Sequence, residues 1–206
     1  FVSDPTLFYI TGRLLSCLIS VAAALVVYKM GRVLWSRSTA AWAAALAVLL
    51  PSAIDAAHYA KWESLLLLTC AGAWYFALRV YRDGAPKYYL LCGLMLGLSV
   101  STHYIAWLLC ALLPAAHIAR VMRGGGPTLR ALAFSRPFWL GCAAIPIGFL
   151  IGTPFAALDF AKFRASIADV ADYTATRRTL PGRNGLPSLG TRSEERRVGK
   201  ECATLC

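Results

Sequence analysis

The stretch STAAWAAALAVLLPSAIDAAHYAKWESLLLLTCAGAWYFAL, residues 38–78, decides how the chain is read. Two apolar, uncharged arms, Ser38 to Ile54 and Ser64 to Leu78, enclose Asp55, His58, Lys61 and Glu63. A basic cluster flanks each side, with Lys29, Arg32 and Arg37 before it and Arg79, Arg82 and Lys87 after it. Short loops rich in Lys and Arg stay on the cytoplasmic side of a membrane, so the chain must cross an even number of times between two such loops. The stretch is therefore predicted to form a hairpin of two membrane helices, with Pro51 to Glu63 as its outer turn.

The same parity extends in both directions. Residues 88–119 are uncharged up to a third basic cluster, Arg120, Arg123, Arg130 and Arg136. As one helix they would be about 48 Å long, against a hydrocarbon core of about 30 Å. A break near Ser101 to Tyr104, in STHY, makes two short crossings and puts His103 on the same outer side as the first turn. The run Leu14 to Tyr28 then enters from outside and Pro137 to Leu158 returns to it. The expected fold is all-α, a polytopic membrane helix bundle of about six crossings with short helices and outer-face loops. Hydrophobic residues at 58% and a mean hydropathy of +0.58 agree, since soluble domains carry roughly 45–50% apolar residues. Gly93 and Gly97 form a GxxxG pair suited to close helix packing. The expected division is a bundle over 1–158, the start of an outer interfacial helix and loop over 159–191, and a tail over 192–206.

The net charge of +11 raises the question of nucleic acid, but the basic residues punctuate apolar runs instead of lining one face, and no nucleic-acid partner is expected. Of seven cysteines, Cys17, Cys70, Cys92, Cys110 and Cys142 stand singly inside apolar runs and read as small buried hydrophobes. No phosphate-binding glycine loop, GxSxG or HExxH motif occurs. The chain opens at Phe1, so its start is expected to lie upstream. RSEERRVGKEC, Arg192 to Cys202, is aperiodic and charged, and resembles the translation of a short-read sequencing adapter, so it is set aside as a non-native tail.

A carboxylate at a membrane must be hydrated, paired or bound to a cation, because burying it bare costs several kcal/mol. Asp55, His58 and Trp62 would share one face of a helix, whereas Glu63 lies about 140° of rotation from His58, so convergence of all four polar groups requires a bent loop. Two readings stand side by side: a site at the outer face, or a solvated turn with Trp62 and Lys61 as interfacial anchors.

Four stretches carry a resemblance. GRLLSCLISVAAALVVYKMGR, LLPSAIDAAHYAKWE, YYLLCGLMLGLSVSTHY and GTPFAALDFAKF resemble, in order and spacing, the polyprenol-phosphate-sugar-dependent (C-type) membrane glycosyltransferases of family 39, the protein-mannosyltransferase and aminoarabinose-transferase type. The resemblance implies transfer of a sugar from a polyprenyl-phosphate donor to a hydroxyl of a protein, lipid or glycan acceptor, in contact with membrane lipids. It implies Glu63 as the catalytic acidic residue of the outer loop, His58, Lys61, His103 and Tyr104 as donor-binding residues, and Asp55, His58 and Glu63 as ligands of a divalent metal ion, the one cofactor it admits. His103 and Glu63 stand where the family usually has Lys and Asp. The family's first outer loop, which bears the carboxylate taken as base, is expected upstream of Phe1, so this stretch alone is expected to be inactive. The location implied is a bacterial inner membrane with the active face periplasmic. A non-catalytic transporter or lipid-scaffold protein is the alternative, expected to show inverted repeats and polar groups at mid-membrane.

Overall fold

Every element of the computed structural model is helical, and it describes residues 5–58, 62–124 and 135–179. Lys61 and the segment Arg192 to Cys202 lie outside them. Two compact units divide the chain, Phe1–Ala157 and Leu158–Cys206.

The first unit begins with α1, Pro5–Leu34, followed by α2, Arg37–Leu49, and α3, Pro51–His58. Ser36 starts α2 by accepting the Thr39 N–H on its hydroxyl at 3.2 Å. Pro51 ends α2 and starts α3, because it disfavours helical backbone in the residue before it yet suits the first helical position. The outer turn expected after α2 is thus partly a helix. α4 spans Glu63–Arg82 and α5 spans Pro86–Thr102. Between them Gly84 adopts φ +63°, a left-handed conformation that favours glycine, and its N–H bonds the Arg79 carbonyl at 3.3 Å.

His103 then takes extended backbone and ends α5, as the length of the apolar run requires. The chain resumes as a 3-10 helix, Tyr104–Ala111, which passes directly into α6, Leu112–Arg123. A 3-10 helix rises about 2.0 Å per residue against 1.5 Å in an α-helix, so Tyr104–Arg123 covers about 34 Å. α7, Arg136–Gly152, carries Pro146 in its interior, and the short α8 is Phe155–Leu158. Among the described residues three segments are long and apolar enough to cross a membrane, Tyr9–Leu34, Glu63–Arg82 and Tyr104–Arg123; α2 and α7 are apolar but shorter. Large apolar side chains such as Leu14, Trp42 and Ile151 are exposed around the bundle, as lipid contact requires.

The helix directions follow the parity of the charges. The basic ends gather: Arg82 donates to the Val33 carbonyl, Arg79 donates to the Tyr88 hydroxyl at 2.6 Å, and Arg120 donates to the Val80 carbonyl at 3.4 Å. At the opposite end Ser20 donates to Ser64 at 3.3 Å, and Ser101 is joined to Thr153 at 2.7 Å. We call this second end the His103 end.

The tightest packing is α5 on α7. A Cβ at Gly93 would meet the Gly141 carbonyl, and one at Gly97 the Ile145 carbonyl and, at 2.7 Å, the Phe149 nitrogen. A Cβ at Gly141 would in turn come within 2.9 Å of the Tyr89 carbonyl, so the two backbones touch without intervening side chains. Around this seam sits a core of Ala73, Ala77, Val80, Cys92, Leu96 and Leu113. Buried hydroxyls are satisfied locally, Thr69 donating to the Leu65 carbonyl at 3.0 Å and Ser99 to the Met95 carbonyl at 2.8 Å, whereas Arg79 Nε and His117 Nε2 are buried with no hydrogen-bond partner among the described residues. Tyr89 and His117, 2% and 4% exposed, are linked through the tyrosine hydroxyl and His117 Nδ1 at 2.8 Å. Of the cysteines read as buried, Cys92 is buried, Cys70, Cys110 and Cys142 are half-buried, and Cys17 is exposed on α1, where its neighbour is lipid instead of protein.

In the second unit α9, Phe160–Thr179, starts at Asp159, whose carboxylate accepts the Lys162 N–H at 3.2 Å and pairs with its ammonium at 2.7 Å. These contacts hold the Asp159 carboxyl below the usual carboxylate range.

Two measurements test this arrangement. In a background stripped of native cysteines, cysteines at Ser52 and Thr102 should react with a membrane-impermeant thiol reagent from one side and a cysteine at Ser38 only from the other; labelling of all three from one side would refute it. Gly97→Val should lower the unfolding free energy by about 1–3 kcal/mol, the usual cost of overpacking, as read from denaturant unfolding in detergent.

Candidate functional site

The candidate site lies at the His103 end, where α1, α3 and α4 meet. Asp55 is carried on α3 and Glu63 opens α4, and both line one cleft of about 510 Å3. Its other polar lining comes from Ser20, Ser52, Ser64 and Cys70, and the remaining walls are apolar. Both carboxylate-bearing residues are exposed, so solvent reaches them. Glu63 also stands in the first turn of α4, where the helix dipole favours a negative charge.

Trp62 stands in a turn immediately before α4, and Glu63 opens that helix. In a single regular helix Glu63 would lie about 140° of rotation from His58 and about 12 Å along the axis from Asp55. His58 ends α3, three residues after Asp55; its side chain and Lys61 lie outside what is described.

His103 and Tyr104 are placed differently. The His103 ring stacks on Trp62 at 4.6 Å and 24° and on Tyr104 at 4.9 Å and 18°, so three rings run in a row that starts beside Glu63. His103 Nδ1 accepts the Ile105 N–H at 3.3 Å, and its carbonyl accepts the Ala106 N–H at 2.9 Å. The imidazole thus caps the 3-10 helix through Nδ1 and keeps Nε2 for a further partner. Neither His103 nor Tyr104 lines the Asp55–Glu63 cleft; they adjoin it through Trp62. Trp62 is the contributor that sequence reasoning missed, having been read only as an interfacial anchor.

Among the described residues no group of three His, Cys, Asp or Glu side chains stands close enough to hold a metal ion. Asp55 and Glu63 nevertheless offer the hard oxygen donors that Mg2+, Mn2+ or Ca2+ take, so the donor chemistry fits such an ion.

The cleft continues into a second, apolar cavity of about 280 Å3 between α1, α2 and α3, lined by Ala24, Val27, Val48, Ile54 and Leu67. The two share Ser20, Ala47, Ala53 and Leu67. A polar mouth opening on an apolar corridor suits an amphiphile with a polar head and a long hydrocarbon chain.

The described residues thus form a helical bundle with two carboxylates at one lip of an apolar corridor. A family model for dolichyl-phosphate-mannose-protein mannosyltransferases matches residues 10–151, and the chain belongs to that family. It is a membrane-integral glycosyltransferase of the mannosyltransferase type. No individual curated protein and no solved structure matches it.

The cap assigns His103 a testable structural contribution. His103→Ala should raise amide hydrogen exchange at Ile105 and Ala106 about tenfold, equivalent to about 1.4 kcal/mol and in line with the usual ~1 kcal/mol for a lost cap. Unchanged exchange would remove the capping role.

Proposed function

We propose that the protein transfers a sugar from a polyprenyl-phosphate donor to a hydroxyl of a protein, lipid or glycan acceptor, at the membrane face carrying Asp55, Glu63 and His103. The observation that carries this reading is the shared cleft: two carboxylates at a polar mouth, opening directly on an apolar corridor. The donor has the matching form, a phosphate-linked sugar on a hydrocarbon chain.

The donor phosphate is anionic, so a cleft lined by Asp55 and Glu63 repels it unless a cation intervenes. Two sources fit: a divalent metal ion held by Asp55, Glu63 and His58, or the ammonium of Lys61. A bound metal would supply neutralisation of the phosphate charge as it leaves. In the reaction the acceptor oxygen bonds to the anomeric carbon, the bond from that carbon to the phosphate oxygen breaks, and the acceptor proton passes to a base. Glu63 is the catalytic residue assigned to this chain, holding the cation against the donor phosphate. The free Nε2 of His103 is suited to a hydrogen bond with a phosphate oxygen, and it carries positive charge only when the ring is protonated. Tyr104, exposed beside it, presents a ring and a hydroxyl to the donor sugar.

The basic ends of the helices fix the expected orientation. They belong on the cytoplasmic side, so the Asp55–Glu63 mouth faces outward, the periplasm if the membrane is a bacterial inner membrane.

Turnover in the full-length protein with a radiolabelled polyprenyl-phosphate sugar tests the assignment. Glu63→Gln should lose at least about tenfold, roughly 1.4 kcal/mol of barrier, with size nearly unchanged. Asp55→Asn should lose less, and His58→Ala should fall between them, since an imidazole either binds a metal or orients the carboxylate. Wild-type turnover in folded Glu63→Gln would return this loop to a hydrated turn with interfacial anchors.

A further inference from the structure

At the opposite end of α1 a second polar feature stands over a second apolar groove. Tyr28 stands one helical turn before Arg32 on α1, and Arg37 opens α2, whose Ala40 packs directly on Gly31 of α1, so two cations gather at the end of α1 and the start of α2. Both arginines are exposed. The two ion pairs found among the described residues, Arg79–Asp83 and Lys162–Asp159, include neither of them. The N-terminus of α2 adds the positive end of its dipole at the same place, with Ser36 as its cap.

Below these groups α1 and α2 enclose an open groove of about 610 Å3. Tyr28 is its one polar lining residue; the others include Val21, Leu25, Ala45, Val48 and Leu49. The groove thus begins at Tyr28, one turn from Arg32, and runs between α1 and α2 away from the basic end. Trp35, 65% exposed, flanks the basic group at the depth where aromatic residues meet lipid headgroups.

Charge complementarity selects the occupant. Arginine presents a planar fork that matches phosphate oxygens bidentately, and the cytoplasmic leaflet toward which this end points is rich in anionic lipid. The donor phosphate cannot serve both ends, since Ser20 at the carboxylate cleft and Arg32 are separated by about 18 Å along α1. We propose that Arg32, Arg37 and Tyr28 bind the phosphate of an anionic glycerophospholipid whose acyl chain lies in the α1–α2 groove, as a site separate from the sugar-donor cleft.

The test uses the purified full chain, delipidated in detergent and offered an equimolar mixture of phosphatidylglycerol and phosphatidylcholine, with retained lipid read by native mass spectrometry. The wild type should retain phosphatidylglycerol over phosphatidylcholine at least about fivefold; equal retention overturns the proposal. Arg32→Gln combined with Arg37→Gln should bring the ratio close to one, while Arg32→Lys with Arg37→Lys should keep most of it. Arg37→Gln alone, an exposed change at the first turn of α2, should lower the ratio and serves should the double variant fail to fold. An undiminished ratio in either glutamine variant overturns the arginine assignment. Ala45→Trp, which fills the groove, should reduce retention of both lipids at this site, and an unaltered level overturns placement of the acyl chain. Displacement of phosphatidylglycerol by millimolar inorganic phosphate, or by equimolar polyprenyl phosphate, would give the site to a soluble anion or to the donor lipid and overturn the proposal as well. Sugar transfer is a separate readout, so loss of the lipid preference and loss of the glycosyltransferase reading can be told apart.

Discussion

The seam between α5 and α7 is the contact on which the bundle depends. In lipid the packing of helices gains nothing from hiding apolar surface from water, so close van der Waals contact and hydrogen bonds must hold it together. Gly93 and Gly97 on one helix and Gly141 and Gly148 on the other let backbone lie against backbone. Because the two helices run in the same direction, the chain must return between them, and the return is the 3-10 helix and α6. This return carries His117 against Tyr89 near the basic end and leaves His103 at the other. The Ser101–Thr153 link then fastens the outer ends of the same pair.

With the bundle so fixed, polarity is sorted by depth. Cations gather at one end, where carbonyl oxygens at helix termini receive Arg82 and Arg120. At the other, Asp55 and Glu63 stand exposed at a cleft, while Asp83 at the basic end is paired with Arg79. Between them the polar side chains are mostly hydroxyls bonded to carbonyls one turn back, an arrangement that leaves little unsatisfied in hydrocarbon. The apolar cavities along α1 and α2 adjoin through Val21, Ala24 and Val48, so both polar ends open on lipid-shaped space.

Much of this was legible in the residues. The helix directions follow from counting basic clusters, because lysine and arginine are expensive to translocate. The interruption at His103 follows from length, because one uncharged run exceeded the membrane. The family followed from four ordered stretches. Other features were hidden for identifiable reasons. The winding after His103 depends on an imidazole that accepts a backbone N–H, which apolar periodicity does not register. The helix Pro51–His58 was expected as turn because its polar residues resembled a loop, although Pro51 is a good helix start. Within the site, the sequence left open whether Asp55 and Glu63 converge, since the answer lies in how α3 and α4 are placed against α1. The pairing of Tyr89 with His117 joins residues far apart in the chain and leaves no local signature.

The 3-10 helix Tyr104–Ala111 has a consequence for how this crossing meets bilayers of different thickness. Each of its residues adds about 0.5 Å more along the axis than an α-helical residue would, so the segment holds about 4 Å of length in its winding. Rewinding it as α-helix would shorten the crossing by that amount with no residue removed and no change of tilt. Hydrophobic mismatch costs fractions of a kcal/mol per Å and is usually met by tilting or by deforming the lipid. Here the choice of helix type offers a third response, in a segment whose outer end is His103, the middle ring of the row beside Glu63.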